Sequence, residues 1–467
     1  MPQILCPLYR AAKQFGSDAA IISEHGTISF RQLYEIVEVT TQNLLKCRIK
    51  NGSRVAIMSP SCPEYLIVLL ALWRLKAIGC PLSSRYPPAL VKKLLRSIRY
   101  DILLRQSDLK RLAGSGSAGK APKPHYFNPD FPATIMFTSG TTAIPKSVLH
   151  TYENHYFNAK GSNKNIPLHK GDRWLLSLPL YHVAGTGIIF RCLLAGAAVV
   201  IPPAKLSLSA ALLKYRISHL SLVSTQLQKF LDNPTHSRQL KRLRAILLGG
   251  SFISPHLIQK AITFKLPIYK SYGLTEAASQ VTTTRKNERA DRLLTAGRIL
   301  KYRELRIGHN GEIQVKGEVL FKGYLGQKRN AALTRDGWFK TGDTGYLTRD
   351  GYLVVTGRKD TMFISGGENI FPEEIEKTLL TDKRIVNAAV VPVTDPLFGS
   401  RPAAFIKFAT NQSVPAPILQ KILLRQLPKF KIPDRFYAWP KQLSQNTLKF
   451  NRQQLNAVLQ KNPVALK

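Results

Sequence analysis

The chain has 467 residues, of which 44% are hydrophobic and 21% are charged. These values exclude wholesale disorder, and the length allows roughly two to four domains. The 68 Lys and Arg residues outnumber the 28 Asp and Glu residues, which gives a formal net charge of +40. The basic residues are scattered with no dominant block, which indicates a broad solvated surface. We therefore expect no specific nucleic-acid partner.

Short apolar runs alternate with amphipathic segments from about residue 53 onwards. Helical patterns lie at Glu64–Lys76 and Pro255–Phe264, between runs that are typical of buried strands. The predicted strands are Arg54–Met58, Thr134–Phe137, Trp174–Leu178, Ala197–Ile201, Leu220–Val223, Ala245–Leu248 and Ile268–Lys270. This alternation predicts an α/β fold of layered sheets, with ligand sites in the loops that follow the strands.

The stretch Trp174–Phe190 carries no Lys, Arg, Asp or Glu, but Pro179, Gly185 and Gly187 interrupt it and Arg191 follows at once. A buried strand, a turn and a helix therefore explain it better than a membrane span. No basic-then-apolar signal segment stands at the N-terminus, and the five widely spaced cysteines include no CxxC pair. These features predict a cytoplasmic protein without membrane insertion, disulfide framework or zinc knuckle.

The pattern changes in the last third of the chain. Short β segments begin at Gly311 and indicate a β-rich subdomain. After Asp360 the predicted elements are helix Pro372–Leu380, strand Asn387–Val391, strand Ala403–Phe408 and helix Pro417–Leu427. We therefore place a domain boundary near Asp360. It separates a large domain of residues 1–359 from a small α+β domain of residues 360–467.

The first candidate site is a run of small hydroxylated residues and glycine after the strand that ends at Phe137. It comprises Thr138, Ser139, Gly140, Thr141 and Thr142, followed by Lys146. Backbone N–H groups and hydroxyls in such a run can converge on a phosphate chain. The GxxxxGK[ST] pattern of a Walker A loop is absent. Taken alone, the run fits a phosphate loop or a polar surface turn equally well.

Two further motifs contain residues suited to a nucleotide. Ser271–Glu276 (SYGLTE) offers an aromatic ring, a glycine, a hydroxyl and a carboxylate, which can stack a base, contact a phosphate and hold a hard cation. Gly337–Asp343 (GWFKTGD) places an aspartate in a tight turn, where it suits a ribose diol. The alternative for each motif is an ordinary turn closed by glycine.

Together, in this order, these motifs resemble the adenylate-forming superfamily of acyl-CoA synthetases, aryl-CoA ligases, adenylation domains and luciferases. The resemblance spans about residues 20–455 and continues through Gly357–Asp360, Ile364–Ile370, Pro372–Glu376 and Lys449–Arg452. It implies a ligase that activates a carboxylic acid as its acyl-AMP and passes the acyl group to coenzyme A. ATP, Mg²⁺ and CoA would be its cofactor and cosubstrates. A large N-terminal α/β domain and a small mobile C-terminal domain are implied as well.

The resemblance also implies roles for individual residues. Those that would grip the ATP phosphates are Thr138, Ser139, Gly140, Thr141, Thr142 and Lys146. Those that would surround the adenine are Gly249, Gly250, Tyr272 and Gly273, and the pair at the ribose would be Asp343 and Arg358. Thr275 would contact the α-phosphate and Glu276 the magnesium ion. Asp360 matches the hinge about which the small domain swings.

Lys449 matches the lysine that the family uses for adenylation. Attack at the α-phosphate builds negative charge, which a docked lysine and magnesium can offset. The CoA thiol would then attack after the small domain has rotated. The chain departs from the family pattern at Ala143 and Ser147 in the phosphate loop, and at Leu448 before the lysine. A methyl group at Ala143 disfavours a positive φ, which bears on the mobility of the loop.

The acyl pocket is indicated by Trp174–Arg191 and by Ser224 and Thr225, which resemble the o-succinylbenzoate–CoA ligases of menaquinone biosynthesis. His182 matches a ring at the mouth of the family's acyl pocket, although a core histidine is the alternative. A buried guanidinium at Arg191 would need an anion. It would clamp the second carboxylate of an aromatic diacid, unless it pairs with a structural carboxylate or reaches the surface.

Three other functions stay open at this point. One is another aryl-CoA ligase, of the benzoate or coumarate type, and the second is an adenylation enzyme that loads a carrier protein in trans. The third is a nucleic-acid-binding protein on an inactive ligase fold. That fold would have lost active-site residues, yet the chain retains Lys146, Glu276, Asp343, Arg358 and Lys449. We expect an aromatic diacid, ATP and CoA as partners, and a homodimer stays open as the assembly.

Overall fold

The structure is a computed structural model. It describes residues 3–114, 122–138, 145–250, 253–327, 332–359, 361–365, 368–410, 412–440, 452–459 and 465–466.

The strands are β1 (Ile4–Leu5), β2 (Ala19–Ser23), β3 (Gly26–Ser29), β4 (Arg54–Met58), β5 (Ile78–Leu82), β6 (Ile102–Arg105), β7 (Tyr126–Phe127), β8 (Pro132–Phe137), β9 (Ser147–Thr151), β10 (Arg173–Leu175), β11 (Ala198–Ile201), β12 (His219–Leu222), β13 (Ala245–Leu248), β14 (Ile268–Leu274), β15 (Ser279–Thr283), β16 (Arg298–Ile299), β17 (Glu304–Ile307), β18 (Glu312–Lys316), β19 (Gly323–Tyr324), β20 (Phe339–Leu347), β21 (Leu353–Arg358), β22 (Phe363–Ser365), β23 (Glu368–Ile370), β24 (Ile385–Asp395), β25 (Gly399–Phe408) and β26 (Arg435–Ala438).

The α-helices are α1 (Pro7–Gln14), α2 (Phe30–Lys46), α3 (Pro63–Arg74), α4 (Pro88–Ile98), α5 (Gln106–Leu112), α6 (Tyr152–Asn165), α7 (Val183–Ala195), α8 (Leu208–Lys214), α9 (Ser224–Leu231), α10 (Pro234–Leu240), α11 (Pro255–Thr263), α12 (Ala290–Leu293), α13 (Pro372–Leu379), α14 (Ala416–Leu424) and α15 (Arg452–Leu459). Short 3₁₀ turns occupy Thr275–Ala277 and Lys429–Lys431. No helix in the described ranges is long and apolar enough to cross a membrane.

Two large mixed sheets form the body of the molecule. One has the strand order β16-β15-β14-β13-β12-β10-β11-β2-β3, and the other has the order β19-β9-β8-β5-β4-β6. The central strands of each sheet run parallel. Antiparallel strands close both edges of the first sheet and the β19 edge of the second, whereas β6 closes the other edge as a parallel strand. The largest core cluster takes residues from both sheets and from α1, α2, α3 and α7. This is the layered α/β architecture that the sequence predicts.

Two smaller sheets follow in the chain. The strands β17-β18-β20-β21 form an antiparallel sheet, which is the expected β-rich subdomain. It begins with β17, before the predicted start at Gly311. The strands β24-β25-β26 form a three-stranded sheet, and their apolar side chains share a separate core with α13 and α14. The hairpin β22-β23 precedes that sheet.

The predicted elements agree closely with the observed ones. The strands Arg54–Met58 and Ala245–Leu248 have the predicted bounds. The stretch without charges forms β10, a turn and the buried helix α7, which Gly196 ends in a left-handed conformation with φ 69°. Strand β14 continues four residues past its predicted end at Lys270, because pairing with β15 extends a segment that has no apolar run.

Candidate active site

The phosphate-loop motif begins and ends on two paired strands. Strands β8 and β9 are antiparallel neighbours. The backbone N–H of Thr138 donates to the carbonyl of Lys146 over 3.0 Å, and the N–H of Lys146 donates to Oγ1 of Thr138 over 3.2 Å. These two bonds close the base of the loop. Its other predicted phosphate ligands, which lie outside the described residues, are Ser139, Gly140, Thr141 and Thr142.

The Thr275–Ala277 3₁₀ turn joins β14 to β15. Oε1 of Glu276 accepts a hydrogen bond from the Tyr324 hydroxyl at 2.7 Å, and Nζ of Lys146 lies 4.9 Å from the centre of the Tyr324 ring. Burial raises the pKa of Tyr324, and the Glu276 carboxylate raises it further, so the phenol remains a donor. Tyr324 therefore connects the lysine that follows the phosphate loop to the predicted magnesium ligand.

Asp343 and Arg358 are directly opposite residues in the antiparallel pair β20–β21, which explains their spacing along the chain. Nη1 of Arg358 lies 2.9 Å from Oδ1 of Asp343. The Tyr272 hydroxyl donates to Oδ2 of Asp343 over 2.7 Å. Burial raises the pKa of Tyr272 well above its ordinary value, with the charge of Asp343 as a further cause. The structure thus joins the predicted adenine ring and the predicted ribose pair in one network.

The strands β12, β13 and β14 are parallel neighbours, so the residues after their carboxyl ends meet at one edge of the sheet. Helix α9 begins there with Ser224 and Thr225. At the end of β13, Gly250 has φ 83°, a conformation that favours glycine. A Cβ on Gly249 would lie only 3.1 Å from the Ser271 carbonyl. The two positions after β13, Gly249 and Gly250, therefore favour glycine beside the strand that carries Tyr272.

Close packing also explains Gly273, where an added Cβ would overlap the carbonyl group of Ser279. The neighbouring Ala278 has φ 52° although it is not glycine. Such left-handed residues persist where the surrounding contacts hold them. The turn that carries Glu276 is thus fixed tightly between its two strands.

Arg191 is fully buried in α7, with a side chain that is 0% exposed. Its Nη2 donates to Oε1 of Gln280 over 3.0 Å, and its guanidinium lies 5.2 Å from the centre of the Trp174 ring. Its Nε and Nη1 have no hydrogen-bond partner within the described part of the chain. Burial lowers the pKa of Arg191 to about 10, so it stays charged at neutral pH.

Neither alternative for Arg191 fits these contacts, because it is not at the surface and forms no ion pair with a carboxylate of the described ranges. Instead a second cation lies nearby. Burial lowers the pKa of Arg303 to about 9, and the positive charge of Arg191 lowers it further. Arg303 donates to the backbone carbonyls of Lys301 and Gln280. This region therefore concentrates buried positive charge.

His182 immediately precedes α7, is exposed, and has its ring 4.6 Å from that of Tyr181. The alternative of a core histidine is therefore wrong. An added Cβ on Gly187 would lie 3.3 Å from Nη2 of Arg191, so the guanidinium extends back along the helix towards its N-terminus. The predicted pocket mouth and the buried cation thus lie along the same helix.

Four further residues of the sequence analysis lie outside the described residues. They are the hinge Asp360, the adenylation residue Lys449 and the departures Ala143 and Leu448.

A comparison with known families and proteins adds to this geometry. The profile described as "AMP-binding enzyme" matches residues 8–325, and that described as "AMP-binding enzyme C-terminal domain" matches residues 374–447. The chain belongs to the AMP-binding enzyme family. It is 35% identical to a 2-succinylbenzoate–CoA ligase of Haemophilus influenzae over 92% of each chain. It is also 34% identical to one of Bacillus velezensis over 90% of each chain.

Solved structures of relatives agree with the fold. The o-succinylbenzoate CoA synthetase of Bacillus subtilis in complex with the acyl-adenylate intermediate OSB-AMP matches with a TM-score of 0.87 and 28% identity over 100% of both chains. The same enzyme in complex with ATP and magnesium ion matches with a TM-score of 0.84 and 28% identity, over 94% of this chain and 96% of the other. The resemblance to adenylate-forming enzymes and the predicted α/β fold are confirmed.

Sequence patterns do not identify three residues that the structure places in contact with predicted site residues. Gln280 contacts Arg191, Tyr324 contacts Glu276, and His150 contacts Thr275. Gln280 lies just after the SYGLTE motif, so an extended motif could have included it.

Proposed function

We propose that this chain is an ATP-dependent 2-succinylbenzoate–CoA ligase of menaquinone biosynthesis. It forms the acyl-AMP of 2-succinylbenzoate, releases pyrophosphate and transfers the acyl group to CoA. The observation that carries the choice of acid is the charged, fully buried Arg191, which has two guanidinium nitrogens without partners among the described residues. A diacid can supply the missing anion with the carboxylate that is not activated. The relatives named 2-succinylbenzoate–CoA ligase support the same substrate.

The distance along α7 between His182 and the Arg191 guanidinium suits a small aromatic acid. The guanidinium of Arg191 lies beside Gly187, which is five residues after His182. At a rise of about 1.5 Å per residue, five residues span about 8 Å along the helix. One substituted benzene ring fits this distance, with the carboxylate to be activated near His182 and the other beside Arg191. The Trp174 ring supplies an apolar wall at the buried end.

The ATP site is proposed from the same edge of the sheet. Asp343 accepts the ribose hydroxyls, Tyr272 and the glycines after β13 surround the adenine, and Lys146 contacts the phosphates. Magnesium suits Glu276, because it often takes one or two protein carboxylates together with substrate phosphates, and there it would neutralise phosphate charge. No cluster of three or more His, Cys, Asp or Glu side chains occurs in the described ranges, which fits a metal held mainly by its nucleotide.

The Asp343 network gives a direct test of the nucleotide site. Changing Asp343→Asn removes the charge that pairs with Arg358 and replaces one acceptor oxygen with a donor. We expect the KM for ATP to rise about tenfold or more, since charge-assisted hydrogen bonds are the strong ones. The control is Asp336→Asn, which breaks the 2.7 Å surface pair with Arg306. In steady-state kinetics the control should have a KM for ATP within about twofold of the native value. Equal KM values for ATP in the two variants would contradict the assignment.

We also propose that residues 360–467 form the small domain that swings about Asp360 between the two half-reactions. Proline at this position restrains φ and removes a backbone donor. In Asp360→Pro, acyl-AMP formation should persist while transfer to CoA falls about tenfold or more. Single-turnover measurements of each half-reaction check this, with Asp360→Ala as the control that removes only the carboxylate. A native rate of CoA transfer in the proline variant would place the hinge elsewhere.

The experiment that tests the function is pyrophosphate release with a panel of acids, with and without CoA. We expect 2-succinylbenzoate to be preferred over benzoate, coumarate and fatty acids, and thioester to form only when CoA is added. Preference for a monoacid would favour another aryl-CoA ligase, and transfer only to a carrier protein would favour a loading enzyme.

A cytoplasmic location is part of the proposal and is supported by the five free cysteines. A homodimer remains a proposal that gel filtration can test.

A further inference from the structure

Thr275 and Glu276 lie on a turn whose backbone is held from outside by several donors. The Phe321 N–H donates to the Glu276 carbonyl over 2.8 Å, and Nδ2 of Asn158 donates to the Ala277 carbonyl over 3.0 Å. Nε2 of His150 lies 2.7 Å from the Thr275 carbonyl. The carbonyls of three successive residues are thus each bound by a different part of the chain. The His150 bond comes from β9, which follows directly after the phosphate loop.

The hydrogen bonds around His150 have a single consistent direction. A carbonyl only accepts, so Nε2 of His150 carries the proton and its Nδ1 is an acceptor. The Thr134 hydroxyl lies 3.4 Å from that Nδ1 and can donate to it. The same hydroxyl lies 2.8 Å from Nε2 of His155, from which it accepts. Nδ1 of His155 is then the unprotonated nitrogen, and it has no partner within the described part of the chain.

Both histidines are neutral in this arrangement. They are buried, with exposures of 0% for His150 and 1% for His155. Burial lowers the pKa of His150 to about 4 and lowers that of His155 well below its ordinary value. The His155 ring also stacks on Phe190, with ring centres 5.5 Å apart. Phe190 of α7 therefore packs against the His155 end of the chain His155–Thr134–His150.

We propose that His150 is a positioning residue for the nucleotide, and that Thr134 and His155 fix its tautomer. Through one hydrogen bond it sets the place of the Thr275–Glu276 turn relative to the strand that leaves the phosphate loop. ATP and its magnesium ion must contact both segments at once, so their relative position governs binding. Within the described part of the chain, His150 itself has no recorded contact with α7, the helix that carries Arg191. The inference rests on the proposed function and adds a residue that contacts neither ATP nor the acid.

The test is the dissociation constant of ATP in the presence of Mg²⁺, measured by equilibrium dialysis without any acid. His150→Leu should raise it about tenfold, because the Thr275 carbonyl then keeps only the Ala278 N–H as a donor and the turn shifts relative to β9. His150→Gln carries an amide nitrogen at about the distance of Nε2, and it should restore binding to within about threefold. At saturating ATP, the KM for the acid should stay within about twofold in both variants.

A matched control is His219→Leu. His219 is also fully buried on a strand, and its Nε2 lies 2.9 Å from the carbonyl of Pro167, which is not part of the turn. Its loss should lower the melting temperature about as much as His150→Leu while leaving the dissociation constant of ATP unchanged. Equal weakening of ATP binding in the two leucine variants would overturn the proposal, as would native binding in His150→Leu.

If His150→Leu does not fold, Thr134→Val tests the positioning role of His150 instead. Valine keeps the shape and the strand propensity of threonine but removes the hydroxyl between the two rings. ATP should bind about threefold more weakly, and native binding would overturn the proposal. If the native protein itself fails to bind ATP, the proposed function fails instead, so the two failures are distinguishable.

Discussion

Arg191→Leu should lower kcat/KM for 2-succinylbenzoate about 10²–10³-fold or more, because a carboxylate in the pocket then lacks its counter-charge. Breaking one partner of a buried ion pair costs roughly 3–5 kcal/mol. Activity towards a monoacid such as benzoate should change little or rise, since no charge is left without a partner. Steady-state kinetics with the two acids check this. Arg191→Lys keeps the charge without the planar fork, so its kcat/KM for 2-succinylbenzoate should lie between those of the native protein and Arg191→Leu.

Thermal unfolding separates this functional role from a structural one. In the free protein the guanidinium of Arg191 is buried with only Gln280 and Trp174 as recorded side-chain contacts. Replacing an uncompensated buried charge with an apolar side chain is often neutral or stabilising. Arg191→Leu should therefore melt no lower than the native protein. A lower melting temperature, with equal losses towards mono- and diacids, would identify Arg191 as a structural residue.

Lys449→Ala should lower the rate of acyl-AMP formation about 10²–10³-fold, since a positive charge aimed at the developing negative charge is lost. Transfer to CoA from acyl-AMP supplied directly should remain near the native rate, because that step involves no attack at the α-phosphate. Rapid-quench measurements of the two half-reactions check the difference. Lys441→Ala, eight residues earlier in the sequence, is the control for loss of a positive charge alone. It should keep native rates in both half-reactions. Equal losses in both half-reactions of Lys449→Ala would contradict its role.

The sequence predicts most of this fold because its central strands are nearly continuous apolar runs. Buried parallel strands such as Arg54–Met58 and Ala245–Leu248 need such runs on both faces, and turn residues mark their ends. The ends of helices are less certain, and α14 stops at Leu424, three residues before the predicted Leu427. There the apolar pattern continues into Leu427, which packs in the same core without belonging to the helix.

The candidate site is predictable where its residues form local motifs, and much less so where they meet through the fold. Asp343 and Arg358 are recognisable in sequence because each lies in a motif that resembles the adenylate-forming superfamily, and a hairpin then pairs them in the fold. By contrast, Gln280 lies 89 residues from Arg191, and His150 lies 125 residues from Thr275. No periodicity or spacing encodes these contacts, since they depend on how the two large sheets pack.

The central claim is that the chain makes a thioester through an acyl-AMP of 2-succinylbenzoate. The protein is incubated with ATP, Mg²⁺ and this acid in the absence of CoA, and the reaction is quenched after a single turnover. Mass spectrometry then identifies and quantifies the intermediate. We predict one acyl-AMP per active site, which addition of CoA converts to the thioester and AMP. Formation of ADP with an acyl phosphate, or acyl-AMP from monoacids but none from 2-succinylbenzoate, would contradict the claim.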